Sequence, residues 1–339
     1  VIDSLRRKKI YYDKIIPEYK LDEQYNAVEE DQDATLKLML WCVHPEISMT
    51  DQLGLILQLV SGFNLKEISS ALLIKVETIK KRLQRARSKL KSVEEGLILP
   101  KIENVEDRFP ILRSAIYLGF NEGYYSSSNE HIIREDLIFE ALRLGKMLCD
   151  VPHRDQGVSM ALMGLMLYHT SRVPARRSAA NVLILLENQD RNLWDQRMIR
   201  LASEYLEKGM ESEYFTPYHI EAVIAGIHTN TIDYQLTDWL TIAQLYGKLR
   251  SVAPNPIVDL NYALALLKSG QKEEANFALG SSEVSKFGVH EYLFFAVKAH
   301  IYKDFGQYVK QKEMLWKAIN SAPSEPIRKV LMDRLNTVG

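Results

Sequence analysis

Between Lys75 and Lys91, eight basic residues (Lys75, Lys80, Lys81, Arg82, Arg85, Arg87, Lys89 and Lys91) stand against the single acid Glu77 in 17 residues, within a 339-residue chain of formal charge −1. Ammonium and guanidinium groups at that density do one kind of chemistry well, which is to replace the counterions of a phosphate backbone. Charge alone does not decide the matter, because a basic helix face is also an ordinary solvated surface. The elements that carry the charge must decide it.

Ile68, Ala71 and Leu72 fall at i, i+3, i+4, and Ile79, Leu83, Ala86 and Leu90 at i, i+4, i+7, i+11. Each set is the apolar stripe of one helix. The intervening Leu73-Ile74-Lys75-Val76 leaves room for a turn of three or four residues, which makes the two helices cross steeply and share a small core. The second helix then keeps its basic face outward, as in a helix-turn-helix whose second helix enters the major groove.

The rest of the chain reads as helical. Residues 10–33 hold Pro17 and the acids Glu29, Glu30, Asp31 and Asp33 with little apolar periodicity, and are expected to form a linker. A helix is expected from Ala34 to Val43 and another from Thr50 to Phe63, together backing the helix-turn-helix. Pro100, Pro110 and the acids Glu103, Glu106 and Asp107 mark a boundary, after which 229 residues follow Pro110. Gly270 and Gly306 lie 36 residues apart, each between two helical patterns, the spacing of stacked TPR-like helical hairpins. The expected organisation is all-α: residues 1–30 as a helix end and linker, 31–95 as the helix-turn-helix domain, and 96–339 as a TPR-like extension.

Cysteine and histidine usage gives no metal site. Cys42 and His44 stand two apart, but there is no C-x-x-C or H-x-x-x-H, so Cys42 and Cys149 read as buried free thiols of a cytoplasmic protein. The longest apolar run, around Met160 to Leu167, is far too short to span a bilayer. No secretory signal is visible, and no membrane partner is expected.

These residues carry a resemblance. Thr78-Ile79-Lys80-Lys81-Arg82-Leu83-Gln84-Arg85-Ala86-Arg87, preceded by Glu67-Ile68 and Ala71-Leu72, resembles region 4 of the bacterial sigma-70 superfamily in its extracytoplasmic-function branch. One departure is visible: the turn position often filled by Gly is Leu73, which argues against a strictly left-handed turn. Val1 to Lys9, at a start without Met, resembles the end of the helix closing sigma region 2, so the chain is expected to be a fragment lacking most of that region.

Asn121-Glu122-Gly123-Tyr124, Arg172-Val173-Pro174-Ala175-Arg176 continuing to Leu185 through Asp195, Thr216 through Ala222, and Thr237-Asp238-Trp239 with Leu245-Tyr246 and Pro254-Asn255-Pro256 are similar to the subgroup with a long C-terminal TPR-like extension.

The resemblance implies that region 4 reads the −35 promoter element and holds core RNA polymerase, with promoter DNA and polymerase as partners. Lys80, Lys81, Gln84 and Arg85 would face base edges; Thr78, Arg82 and Arg87 would grip phosphates beside Lys75. Lys89→Ala would mainly flatten the salt dependence. The extension would support or control sigma activity, including by contact with the sigma regions, and by folding back it would mask the basic face. The other reading is a helix-turn-helix regulator with a TPR-like scaffold or ligand-sensing domain that never binds polymerase.

Glu187, Asp190, Arg191, Trp194 and Asp195 are a candidate interaction surface with Trp194 as its aromatic anchor, or, with Arg172, Arg176 and Arg177, an ion network locking helix pairs. No nucleophile, Gly-rich phosphate loop or metal constellation accompanies the carboxylates, so neither catalysis nor a cofactor is expected. His169, His219 and His228 lie on apolar helical patterns and read as satisfied core or edge histidines.

Overall fold

The computed structural model describes residues 26–92, 105–126, 133–178, 182–280 and 283–338. The described chain is all-α, with fifteen α-helices and a few short 3-10 turns. Among the described residues the one β-type pairing is an isolated antiparallel bridge, Arg177 to Leu183. By packing the chain divides into two units, Val1–Thr170 with Gln196–Phe215, and Ser171–Asp195 with Thr216–Gly339. The compositional break at residues 96–110 falls inside the first unit. The segment read as the end of region 2, Val1 to Lys9, lies outside the described residues.

In the first unit, α1 (Asn26–Cys42) starts eight residues ahead of the expected Ala34, so the backbone of the acidic run assigned to the linker is helical. Glu and Ala are strong helix formers, and acids are favoured near a helix N-terminus by the dipole. Then come α2 (Met49–Leu59), α3 (Leu65–Leu72) and α4 (Val76–Ser92). α2 stops short of Phe63, and Gly62 at φ 71° turns the chain. Its Leu53, Leu55, Ile56 and Leu57 are buried. They form the floor beneath Ile68 of α3 and the stripe Ile79, Leu83, Ala86 and Leu90 of α4, all buried as the periodicity requires.

The turn between α3 and α4 corrects one expectation. Leu73 is left-handed, at φ 55° and ψ 38°, although it is not glycine. Ser69 holds it there, its carbonyl accepting from Ile74 N at 3.0 Å and its hydroxyl donating to Ile74 O at 2.6 Å. The short link between crossed helices outweighs an intrinsic cost of about 1 kcal/mol. Leu73 is 72% exposed, so Leu73→Gly loses little packing and is expected to stabilise the unit by about 0.5–1 kcal/mol. A higher urea midpoint at unchanged slope is the expected reading; an unchanged or lower midpoint would show that Leu73 sits there without strain.

The helices after the break complete this core. α5 (Phe109–Tyr124) meets α2 at Gly119, where a Cβ would lie 3.6 Å from Leu57 and 3.8 Å from Phe63. Arg108 donates to the Leu40 carbonyl at 2.8 Å, capping the C-terminal end of α1. Glu67 closes the capping box of α3 by accepting from Asn64 N at 2.9 Å, and its other oxygen accepts from Arg134 at 2.7 Å. Arg134 also donates twice to Asp136, at 2.9 and 2.7 Å, at the start of α6 (Glu135–Asp150). One guanidinium thus ties the first turn of α3 to that of α6.

α7 (Gln156–Ser171) contains the run Met160 to Leu167, mostly buried in protein. It crosses α8 (Gln196–Met210) at small residues: a Cβ on Gly209 would lie 2.9 Å from Ala161 N, so the backbones touch. Cys42 and Cys149 are free and buried, and burial pushes the Cys42 thiol up to about 12. No helix among the described residues is long and apolar enough to cross a membrane.

The second unit comprises α9 (Pro217–Asn230), α10 (Trp239–Val252), α11 (Pro256–Lys268), α12 (Lys272–Gly280), α13 (Glu291–Asp304), α14 (Tyr308–Asn320) and α15 (Glu325–Asn336), with residues 171–195. Ile242, Leu260, Leu279, Phe294 and Ile301 are among its core. The pairs α11/α12 and α13/α14 turn alike. Gly270 (φ 87°) and Gly306 (φ 69°) each end a helix, with the following Gln N–H reaching back to Leu266 O at 2.9 Å and to Tyr302 O at 2.8 Å. This is the helix-ending motif that glycine allows at no steric cost, and it gives the 36-residue spacing its structural meaning.

Candidate nucleic-acid interface

α4 presents three faces, fixed by its apolar stripe. Arg82 and Lys89 lie on one flank, Lys80 and Arg87 on the other, and Lys81, Gln84 and Arg85 point away from the core. The first flank is engaged internally. Arg82 donates to Asp51 at 2.6 Å and to Ser48 at 3.0 Å, both at the start of α2. Lys89 donates to the Glu46 carbonyl at 2.7 Å and lies 3.4 Å from its carboxylate. Arg87 donates to the neutral Gln58 at 2.7 Å, which orients the guanidinium without cancelling its charge.

Two expectations change as a result. Arg82, read as a phosphate grip, braces α4 against α2 because an acid stands within reach on the neighbouring helix. Lys89, expected to carry salt dependence, has its charge matched by Glu46.

Lys75, Thr78, Lys80, Lys81, Gln84 and Arg85 are exposed. Among the described residues none of the cations Lys75, Lys80, Lys81 and Arg85 has a carboxylate partner. Thr78 lies in the first turn of α4. Lys80, Gln84, Arg87 and Ser88 edge an open hollow of about 440 Å³ walled also by Gln58 and Leu65. A row of uncompensated cations beside an amide side chain on an exposed helix face can grip phosphates and read base edges.

The second candidate group is rearranged relative to expectation. Trp194 is 3% exposed and faces inward, so it is not an anchor displayed to a partner. Glu187 pairs with Arg334 of α15 at 3.2 Å and Lys268 of α11 at 3.8 Å, rather than with the arginines near it in sequence. Asp190 accepts from Asn192 N at 3.0 Å, capping the short 3-10 turn Arg191–Leu193. Asp195 N donates to Ser171 O at 2.9 Å. Arg191 lies over the Trp194 ring, its guanidinium carbon 4.4 Å from the centroid, with Arg172 at 5.6 Å.

Of the three histidines, His219 is fully buried and its Nδ1 accepts from Thr216 N at 3.1 Å. His228 departs from expectation: its Nδ1 is buried without a partner among the described residues. Desolvation, then the charges of Arg172 and Arg191, hold its pKa down to about 3. Sequence periodicity gave no sign of this, because the arginines reach His228 from a separate segment.

A protein family described as "Family of unknown function (DUF6596)" matches residues 108–210. That span opens at the arginine capping α1 and closes on the last residue of α8. An uncharacterized protein of Rhizobium meliloti (strain 1021) is 33% identical over 244 residues, which is 72% of this chain and 57% of that relative. The chain therefore spans little more than half the length of the relative it matches. No solved structure matches.

Proposed function

We propose that the chain is a transcription initiation factor of the sigma-70 superfamily acting in the cytoplasm, in which residues 31–95 form region 4 with α3 and α4 as its helix-turn-helix, α4 reads the −35 promoter element, and core RNA polymerase is the protein partner. The observation that carries this reading is the outward face of α4, with Lys80, Lys81 and Arg85 uncompensated around Gln84 on the second helix of a helix-turn-helix. The resemblance of Thr78 through Arg87 to region 4 supports it. No cofactor is required, because the work is recognition rather than catalysis. The extension takes part through protein contacts, and its first helix already belongs to the core that positions α4.

The test is binding to a −35 element selected from a random library and to its scrambled control, at two salt concentrations, followed by run-off transcription with core polymerase. Arg85→Ala is expected to weaken binding to the selected element by about 10- to 100-fold and to the scrambled one less, the loss of a bidentate base contact of about 1–3 kcal/mol. Lys81→Ala is expected to weaken both alike and to reduce the salt slope by about one ion. Lys89→Ala should change neither. Equal loss on both DNAs from Arg85→Ala would remove its base-reading role. Sequence-specific binding without any run-off product would leave a helix-turn-helix regulator instead.

A further inference from the structure

In the second unit several hydrogen-bonding groups of one neighbourhood have no partner among the described residues. Arg191 Nη1 donates to the His228 and Thr231 carbonyls at 2.7 and 2.5 Å, which fixes the guanidinium at the C-terminal end of α9. Its Nη2 is buried with no hydrogen-bond partner among the described residues, as are Trp194 Nε1, His228 Nδ1 and Thr237 Oγ1. Trp194 and Thr237 are 3% and 6% exposed. His228 meets Trp239 edge to face, centroids 5.2 Å apart, which places it beside the Thr237 turn. Arg172, 9% exposed, supplies a second guanidinium, held by a 3.3 Å bond to the neutral Gln189.

The charge is as unbalanced as the hydrogen bonding. Neither Arg172 nor Arg191 forms an ion pair among the described residues, and the two repel one another, lowering the Arg191 pKa after desolvation has done so. Asp233 acts on Arg191 at a distance, while its carboxylate accepts from Gln235 N at 2.9 Å. Glu187 is occupied by Arg334 and Lys268. A buried donor left unpaired costs about 1–3 kcal/mol, and an unpaired buried cation more. Several such groups in one neighbourhood are what a bound acceptor would satisfy.

We propose that Arg172, Arg191, Trp194 Nε1 and His228 form a binding site for a small oxyanion, a carboxylate or a phosphate. Arg191 Nη2 and the indole N–H donate to it, the two guanidiniums neutralise it, and His228 Nδ1 donates in the matching tautomer. The bound anion links the 3-10 segment at residues 191–194 to the end of α9. Ligand binding thereby stabilises the second unit, whatever the DNA-binding helix does.

The test follows the indole N–H resonances of the full chain, uniformly labelled with ¹⁵N, during separate titrations with inorganic phosphate and succinate at constant ionic strength balanced by chloride. Trp194→Phe identifies its resonance among those of the four tryptophans. The expected result is a saturable shift of the Trp194 signal alone, with a Kd near or below ~1 mM for one of the two anions. The anion that saturates names the source. Arg172→Gln and Arg191→Gln are each expected to weaken binding by about tenfold or more. If Arg191→Gln fails to fold, the wild-type titration and Arg172→Gln still decide. A Trp194 signal unmoved by both anions, or moving linearly with all the indoles, would overturn the site and leave ordered water as the filling.

Discussion

A chain cut after Ser92 is expected to lose cooperative folding, although it keeps every residue of the helix-turn-helix. The cut removes α5, which covers Leu57 and Phe63, now 0% and 3% exposed. Re-exposing two such side chains costs about 1.5–3 kcal/mol each, against a total of about 5–15 kcal/mol for a whole domain. The same cut removes Arg108 from the end of α1 and Arg134 from Glu67, leaving orphan carbonyls on one helix and half a capping box on another. Thermal melts by circular dichroism on residues 1–92 and 1–215 check this. The longer chain holds the whole first unit and should melt sigmoidally, whereas the shorter should melt broadly or aggregate. Equally cooperative melts would show that α1 to α4 suffice. If the short chain is unfolded, its failure in a transcription assay says nothing about regulation by the extension.

Acid is expected to destabilise the second unit well above the range where carboxylates titrate. Desolvation, then neighbouring cations, holds His228 at about 3, and desolvation followed by Lys268 holds His300 at about 4. In the unfolded chain both titrate near 6.5. Below that value the unfolded state takes up protons that the folded state refuses, so stability is full above about pH 6.5 and falls as pH drops toward the folded values. The slope is about 1.4 kcal/mol per pH unit per histidine, or about 4 kcal/mol for the pair at pH 5. Urea midpoints near pH 7 and pH 5 measure it. His228→Asn with His300→Asn should remove most of the difference; equal wild-type midpoints at the two values would refute it.

Much of this was legible in the sequence where local rules decide. The stripe Ile79, Leu83, Ala86, Leu90 faces the core because helical period leaves no alternative, and Gly270 and Gly306 close equivalent turns because both need positive φ. Leu73 is left-handed against its own preference because the short link held by Ser69 overrides it, which residue type alone does not show. A helix pattern shows which face Arg82 and Lys89 occupy but not what stands opposite them. Asp51 and Glu46 come from an earlier helix and the turn before it. The Arg134 to Glu67 bond joins residues 67 apart in sequence, and Arg191 reaches the His228 carbonyl across 37. No periodicity spans such separations.

The segment between α7 and α8 has a consequence for the order of synthesis. Residues 171–195 belong to the second unit, while α8, which follows them, belongs to the first. As the chain leaves the ribosome, α1 to α5 can close around the apolar stripe of α4 early, as N-terminal parts generally fold first. The first unit as a whole must wait for Phe215, with a piece of the second already extruded and lacking its neighbours. Arg172, Arg191 and Trp194 thus emerge before α9, and for that interval the nascent chain holds a cationic, aromatic segment that a chaperone could grasp.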